Sequence, residues 1–120
     1  MFLQMGDIHY GGHKSLKADD FQYAYYELFK KNKVQASFYT SHLFSNVFDD
    51  HDFGSNNADG GSNTNKFANQ AYRESIRGID LDEGIYHSYQ VQVGSSDKFL
   101  KFIMLDMRTF KFSFQNYGPI

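Results

Sequence analysis

Three short apolar segments each run directly into a cluster of polar, mostly acidic residues, and this feature restricts the folds open to the chain. The apolar segments are 1–5, 43–48 and 98–105, and the clusters begin at Asp7, Asp49 and Asp106. Helical patterns separate the first two segments, which is typical of neighbouring parallel strands joined by a crossover. Because the carboxyl ends of parallel strands share one edge of a sheet, we expect the first two clusters to face one pocket.

The rest of the pattern predicts helices and a hairpin around this sheet. Helices are expected over about 19–31, 33–41 and 66–77, with Asn65 as the N-cap of the third and a Gly/Asn/Ser-rich loop over 54–65. Alternation over 86–93, a turn at 94–97 and an apolar return over 98–105 predict a β-hairpin. The predicted fold class is therefore α/β, a mixed sheet with flanking helices in one domain.

Composition favours a globular domain and excludes several classes of function. The 120 residues are 41% hydrophobic and 18% aromatic, which favours a packed core over disorder. The absence of cysteine rules out disulfides and thiolate metal ligands. The net charge of −2 and the scattered basic residues predict no nucleic-acid-binding surface, and no apolar segment is long enough to span a membrane. These features select neither a cellular compartment nor an oligomeric state.

The polar clusters contain carboxylates, a phenol and imidazoles, which are ligands for hard or borderline metal ions. Two metal ions a few ångströms apart can clamp a phosphoryl group and generate hydroxide from bound water. In such a site Asp7 can bridge the ions, Asp50 can bind the second ion and His51 can face the phosphate. An EF-hand loop is the rival interpretation, but its first register puts Phe53 at position 5 and Gly60 at position 12, and the next register also fails at position 12.

Three segments in order resemble the PhoD-like alkaline phosphatases, which belong to the calcineurin-like metallophosphoesterase superfamily. Residues 6–10 (GDIHY) resemble the G-D-x-x-Y motif of the PhoD-like and purple acid phosphatases. Residues 47–54 (VFDDHDFG) are similar to the hydrophobic-D-D-H-[DE] motif of the PhoD-like group, and 102–109 (FIMLDMRT) to its L-D-x-R segment. The resemblance covers most of the chain, and it includes the hairpin before the last segment.

This resemblance implies a four-layer αββα metallophosphoesterase sandwich that hydrolyses phosphate monoesters or diesters of small molecules. It implies iron and calcium as the metal ions, with Asp7, Tyr10 and Asp50 as metal ligands. His51 takes the place of the family's histidine that contacts the substrate phosphate or the leaving group.

Four further residues near these positions are candidates for the site. Arg108 is predicted to bind phosphate oxygens bidentately, and the alternative is a salt bridge to Asp106 or another local acid. Asp49 and Asp52 are expected either to orient the site through hydrogen bonds or to bind metal. Asn57 is a candidate phosphate contact. For Asp50 and His51, a helix cap or an Asx-turn at the start of the loop stays open as the structural alternative.

The resemblance also implies that residues 1–120 are the central portion of a longer phosphatase domain. The family's first metal motif is expected upstream of Met1, and its S-G-D-x-H segment, with a histidine ligand, downstream of Ile120. Two hypotheses follow from this. The chain is part of a metal-dependent phosphoric ester hydrolase, or it is a catalytically inactive fragment that binds metal or phosphate weakly.

Overall fold

Two parallel strands form the frame that positions the polar clusters. The computed structural model describes residues 1–11, 14–76, 84–95 and 97–112. In it, strand β1 (Phe2–Met5) pairs in parallel with strand β2 (Phe44–Val47). Met5 lies opposite Val47, so the two strands end at the same level of the sheet. The parallel pair predicted from the sequence is confirmed, and both strands are slightly shorter than the apolar segments.

The crossover between these strands begins with the predicted amphipathic helix. Helix α1 (Ala18–Tyr26) continues into a π-helical turn (Glu27–Lys31), where a regular α-helix was predicted. The wider turn is closed by a hydrogen bond of 2.9 Å from the Asn32 N–H to the Glu27 carbonyl, five residues earlier. The apolar positions that predicted the helix form its inner face: Phe21, Tyr25 and Leu28 are buried and Ala24 is half-buried.

The second helix of the crossover, α2 (Lys33–Ser41), matches its predicted bounds but buries no residue. It is held against the sheet by ring contacts. The Phe38 ring lies 5.1 Å from Phe2 in an edge-on arrangement, and the Tyr39 ring lies 4.6 Å from Phe44. Aromatic pairs at these distances add to the stability gained from burial. The helix therefore covers the start of both strands without contributing to the central core.

The acidic motif after β2 forms a single helical turn, α3 (Asp50–Phe53). Asp49 and Asp52 make a capping box around it, in which the Asp49 N–H donates to the Asp52 carboxylate at 3.0 Å. The helix cap that was the alternative for Asp50 and His51 is thus formed by their neighbours Asp49 and Asp52. A loop over 54–64 follows, and helix α4 (Asn65–Ser75) then packs against α1.

The prediction that Asn65 caps α4 is wrong. Thr64 occupies the N-cap position, and Asn65 is the first residue of the helix. The Asn65 side chain has other partners: its Nδ2 donates to the Gly60 carbonyl at 2.8 Å, and its Oδ1 accepts from Asn69 Nδ2 at 2.7 Å. Asn65 therefore ties the loop to the helix. The predicted end of this helix at residue 77 lies outside the described residues.

The hydrophobic core is formed by α1, α4 and the residues around the end of β2. Its largest fully buried side chains are aromatic: Phe21, Tyr25, Phe48, Phe53 and Tyr72. The Tyr72 ring meets Phe48 edge-on at 5.3 Å, and its hydroxyl donates to the carbonyl of Asn46 at 2.7 Å. Since Asn46 belongs to β2, this hydrogen bond fastens α4 to the strand that carries the acidic motif.

The predicted hairpin is confirmed as strands β3 (His87–Gln92) and β4 (Phe99–Met104), with His87 opposite Met104. Within the described ranges the strands form two separate two-stranded sheets, one parallel and one antiparallel, where a single mixed sheet was predicted. Ser45 Oγ lies 3.2 Å from His87 Nε2 and joins the two sheets. The described part of the chain is an α/β domain, and none of its helices is long and apolar enough to cross a bilayer.

Removing the Tyr72 hydroxyl should weaken the attachment of α4 to β2. We expect Tyr72→Phe to lower the free energy of unfolding by about 1–3 kcal/mol, because the buried Asn46 carbonyl loses its donor. Urea denaturation followed by circular dichroism measures this change. Tyr26→Phe on α1, whose side chain is 54% exposed, is the control and should cost no more than about 0.5 kcal/mol. Equal losses in the two variants would contradict the anchoring role.

Candidate metal centre

The ends of β1 and β2 bring ligand atoms from distant parts of the sequence to one place. Asp7, Asp50 and His51 each offer one ligand atom, and these atoms all lie within 4.8 Å of one another. Asp7 follows β1, whereas Asp50 and His51 begin α3 directly after β2. The prediction that the two clusters come together is confirmed. Among the residues that the structure describes, no second group of three such ligands is this close.

Asp7 has one carboxylate oxygen that the fold leaves without a donor. Its Oδ2 accepts a hydrogen bond from the Tyr10 hydroxyl at 3.0 Å, whereas its Oδ1 is buried and has no hydrogen-bond partner. Burying a carboxylate oxygen without a donor or a counter-charge is unfavourable. A bound cation would compensate that oxygen, so the donor set and its surroundings fit a metal ion.

Gly6 determines how closely the two strand ends approach each other. Its backbone has φ of 108°, and a Cβ at this position would lie only 2.3 Å from the Cβ of Asp49. Only glycine satisfies both the left-handed backbone and the close approach. The glycine after β1 and the first aspartate after β2 are therefore sterically complementary, and their contact sets the distance between Asp7 and Asp50.

Asp50 is buried and ionised. Its Oδ2 accepts the backbone N–H of Asn57 at 2.5 Å, and its Oδ1 lies 3.9 Å from Nη2 of Arg108. Burial acts to raise the pKa of Asp50, but the Asn57 N–H and the charges of Arg108 and His51 outweigh it and hold the pKa below its ordinary value. Asp50 is thus deprotonated at neutral pH, as a carboxylate ligand must be.

Arg108 binds the acidic motif, not the aspartate two positions before it. Its Nε donates to Asp49 Oδ1, its Nη2 lies 3.9 Å from Asp50, and its Nη1 donates to the Ala58 carbonyl at 3.3 Å. Asp106 accepts the backbone N–H of Arg108 at 3.1 Å. The predicted salt bridge is present, but its acid is Asp49, 59 residues away, and not Asp106 or another acid near Arg108 in the sequence. A contact between Arg108 and phosphate stays a prediction.

Tyr10 and Asn57 lie at the rim of the cluster. The Tyr10 ring is 4.6 Å from the His51 ring, and the side chain is 62% exposed. The hydrogen bond to Asp7 is the largest effect that raises the pKa of the Tyr10 hydroxyl, so Tyr10 holds its proton at neutral pH. Asn57 is exposed and supplies its backbone N–H to Asp50. Metal binding by Tyr10 and phosphate binding by the Asn57 side chain stay predictions.

Beneath these residues, one buried aspartate joins the two strand-end loops. Asp52 is 1% exposed and accepts the backbone N–H of His9 at 2.7 Å and that of Asp49 at 3.0 Å. Of the two roles predicted for Asp52, orientation through hydrogen bonds is the one the structure shows. Asp49 also has an orienting role, through its salt bridge to Arg108.

Sequence reasoning missed the structural role of His9. The side chain is 7% exposed and meets the Tyr25 ring edge-on at 4.4 Å. Its Nδ1 accepts the Gly11 N–H at 3.3 Å and lies 3.9 Å from Asp52 Oδ1. No local pattern marks this histidine, because its burial depends on a helix that lies later in the chain.

Burial shifts the pKa values of Asp52 and His9 in opposite directions. It raises the pKa of Asp52 from 3.8 to about 6 and lowers the pKa of His9 from 6.5 to about 4. Between about pH 4 and 6, Asp52 is deprotonated in the unfolded chain but still protonated in the folded chain. Its contribution to the free energy of unfolding therefore falls as the pH rises. Over nearly the same interval His9 is protonated in the unfolded chain but neutral in the folded chain. Its contribution to the free energy of unfolding therefore rises with pH. The two contributions largely cancel.

Asp52→Asn should uncover the pH dependence that His9 contributes. In the presence of a chelator, we expect the variant's free energy of unfolding to rise by about 3 kcal/mol between pH 4 and 6.5, because only the depressed pKa of His9 remains. The wild-type protein should change by less than about 1 kcal/mol over this interval. Urea midpoints measured at several pH values test this, and parallel pH profiles for the two proteins would contradict it.

Gly6→Ala should separate the two halves of the cluster. We expect it to abolish binding of Mn²⁺ in isothermal titration calorimetry and to lower the melting temperature, since the new methyl group overlaps Asp49. Gly94→Ala is a matched control. Gly94 also has a positive φ, of 62°, but a Cβ there meets nothing within 4 Å. This control should lose only about 1 kcal/mol of stability and keep its metal affinity. Unchanged metal binding in Gly6→Ala would refute the steric argument.

No protein-family model, curated protein or solved structure matches the chain, so a function has to be argued from the residues themselves.

Proposed function

We propose that the chain carries part of the active site of a PhoD-like, metal-dependent phosphatase or phosphodiesterase. The observation that supports this most strongly is the convergence of Asp7, Asp50 and His51, whose ligand atoms lie within 4.8 Å of one another. Carboxylates with an imidazole and no thiolate suit iron, and carboxylate oxygens suit calcium. The motif resemblance selects the same three residues on separate grounds.

In this proposal Asp7 and Asp50 hold the metal ions. The Oδ1 of Asp7, which is buried without a partner, is the oxygen offered to the cation. Tyr10 joins them as a ligand once its hydroxyl gives up the proton that it now shares with Asp7. Bound metal ions would polarise the phosphoryl group and lower the pKa of a bound water. The protein's part is to fix these ligands on two strand ends that are packed against each other.

His51 and Arg108 act on the substrate in this proposal. His51 is the second residue of α3 and lies beside the carboxylates of Asp7 and Asp50. Its imidazole can therefore contact the phosphate or protonate the leaving oxygen. The Arg108 side chain is 13% exposed and held by Asp49, which keeps a fixed positive charge at the edge of the cluster. Such a charge attracts a phosphate ester and offsets the negative charge of the ligands.

We further propose that residues 1–120 form the central part of a four-layer αββα sandwich. In that arrangement β1 and β2 belong to a larger mixed sheet, and the remaining metal ligands come from sequence beyond Met1 and Ile120. Iron and calcium are the metal ions that the resemblance suggests.

A second candidate function is metal or phosphate binding without catalysis. It is favoured by one observation, that the described residues contain a single cluster of three ligands, whereas a two-metal site needs ligands for both ions. The two candidates differ in metal content and in turnover, and both quantities are measurable on the same preparation.

Asp7→Asn should abolish hydrolysis by the full-length gene product. We expect chelator-sensitive hydrolysis of p-nitrophenyl phosphate or bis(p-nitrophenyl) phosphate in the wild type, and a loss in kcat/KM of at least about a hundredfold in the variant. Elemental analysis should find bound iron and calcium, and less of either in the variant. Asp19→Asn, an exposed aspartate in the first turn of α1, is the control and should retain both activity and metal.

Full activity in Asp7→Asn, or hydrolysis that chelators do not reduce, would refute the assignment of Asp7 as a metal ligand. Bound metal without turnover of either ester would favour the second candidate function.

A further inference from the structure

A groove adjoins the metal centre, and neither the motifs nor the proposed function gives it a role. It has a volume of about 540 Å³, which is within the range of small-molecule sites. One wall is the loop that follows Asp7, residues 8–11, and the other is formed by α1 and the π-helical turn. The start of α2 closes its far end, with Asn32 and Gln35.

Tyr10 belongs to both the groove and the metal cluster. It lines the groove, yet its hydroxyl donates to Asp7 at 3.0 Å and its ring lies 4.6 Å from His51. A substrate whose phosphoryl group sits between Asp7 and His51 therefore has Tyr10 as its next neighbour. An ester group on that phosphorus can extend over Tyr10 into the groove.

The interior of the groove is apolar and aromatic. Its lining includes the rings of Tyr10 and Tyr23, the methyl group of Ala24 and the side chain of Leu28. Tyr23 is 55% exposed, so much of its ring is available to a ligand. Ala24 is in close contact with Gly11, where a Cβ would lie 2.7 Å from the Ala24 Cβ. This contact brings the loop against the helix.

The charges along the groove do not favour an anionic ligand. Lys31 is the basic residue of its lining, and its Nζ is bound to Glu27 Oε1 at 2.6 Å and lies 3.4 Å from the Tyr23 hydroxyl. Glu27 therefore neutralises Lys31, and Asp20 adds a negative charge to the lining. An uncharged group fits these walls better than a second phosphate or a carboxylate does.

The backbone beneath the groove is unusual. The π-helical turn supplies Glu27, Leu28 and Lys31 to the lining. Single π-helical turns are uncommon, and they occur frequently at functional sites. The departure from regular helix therefore lies where a ligand would contact the helix.

We propose that this groove binds the alcohol portion of the substrate, and that this portion is an uncharged aromatic group. The substrate class is then aryl phosphate esters, in preference to small alkyl phosphates and to esters of charged alcohols. This inference rests on the proposed function, because Asp7 and Asp50 are taken to hold the phosphoryl end.

Two phosphonates that cannot be hydrolysed test the proposal on the full-length protein. Benzylphosphonate carries an aromatic ring and methylphosphonate does not. By isothermal titration calorimetry, we expect benzylphosphonate to bind about tenfold more tightly, which corresponds to about 1.4 kcal/mol of contact with the groove. Tyr23→Ala should reduce this ratio to about twofold or less and leave the affinity for methylphosphonate unchanged.

Tyr86→Ala is the matched control, because Tyr86 has the same exposure as Tyr23, 55%, and does not line this groove. It should keep the full preference for benzylphosphonate. Equal affinities for the two phosphonates in the wild type would overturn the proposal, and so would equal effects of the two substitutions.

Failure of the proposed function gives a different result. If neither phosphonate binds and no ester is hydrolysed, the metal centre is not a phosphoesterase site. Binding of an aromatic group to the groove is then measured by saturation-transfer NMR with benzyl alcohol, which has no phosphorus. A signal that Tyr23→Ala removes and Tyr86→Ala retains would support an aromatic site, and the absence of a signal in the wild type would overturn it.

Discussion

The buried carboxylate of Asp52 holds the two strand-end loops in register. Parallel strands that end side by side leave backbone N–H groups without sheet partners, and such groups are costly when buried. Asp52 accepts one of them from each loop, the N–H of His9 at 2.7 Å and that of Asp49 at 3.0 Å. Together with the contact between Gly6 and Asp49, these hydrogen bonds determine where Asp7 lies relative to Asp50. Any chemistry at the strand ends depends on this arrangement.

The site is layered by burial, and each layer has a different electrostatic character. Asp52 and His9 lie deepest, where burial moves both pKa values towards the neutral forms. Above them, Asp50 stays ionised because the Asn57 N–H and Arg108 compensate its burial. Tyr10 is the most exposed member. The ionised carboxylate of Asp50 thus lies between the buried pair Asp52 and His9 and the exposed Tyr10.

Local patterns predicted the parts of the fold that local interactions decide. The amphipathic stripe of α1, the alternation of the hairpin and the two parallel strands were all found where the sequence indicated. Two of the errors concern choices between competing partners. Asn65 has a short polar side chain suited to a cap, but the Gly60 carbonyl and Asn69 engage it. Arg108 joins Asp49, which is 59 residues away, over the adjacent Asp106. Such choices depend on tertiary distances, which no local pattern contains.

The four residues of the acidic motif divide into two that form the capping box of α3 and two that do not. Asp49 and Asp52 stand at the N-cap and N3 positions of α3, so a capping box alone accounts for acids at these positions. Capping makes no demand on Asp50 or His51, yet both project to the side where Asp7 offers an oxygen without a donor. A buried aspartate is destabilising unless a counter-charge is near, and Arg108 supplies that charge to Asp50. A helix N-terminus favours no histidine, so His51 has no such structural reason for its position. Asp50 and His51 therefore lie beside Asp7, whose Oδ1 has no donor, and a cation held by the three residues would compensate that oxygen.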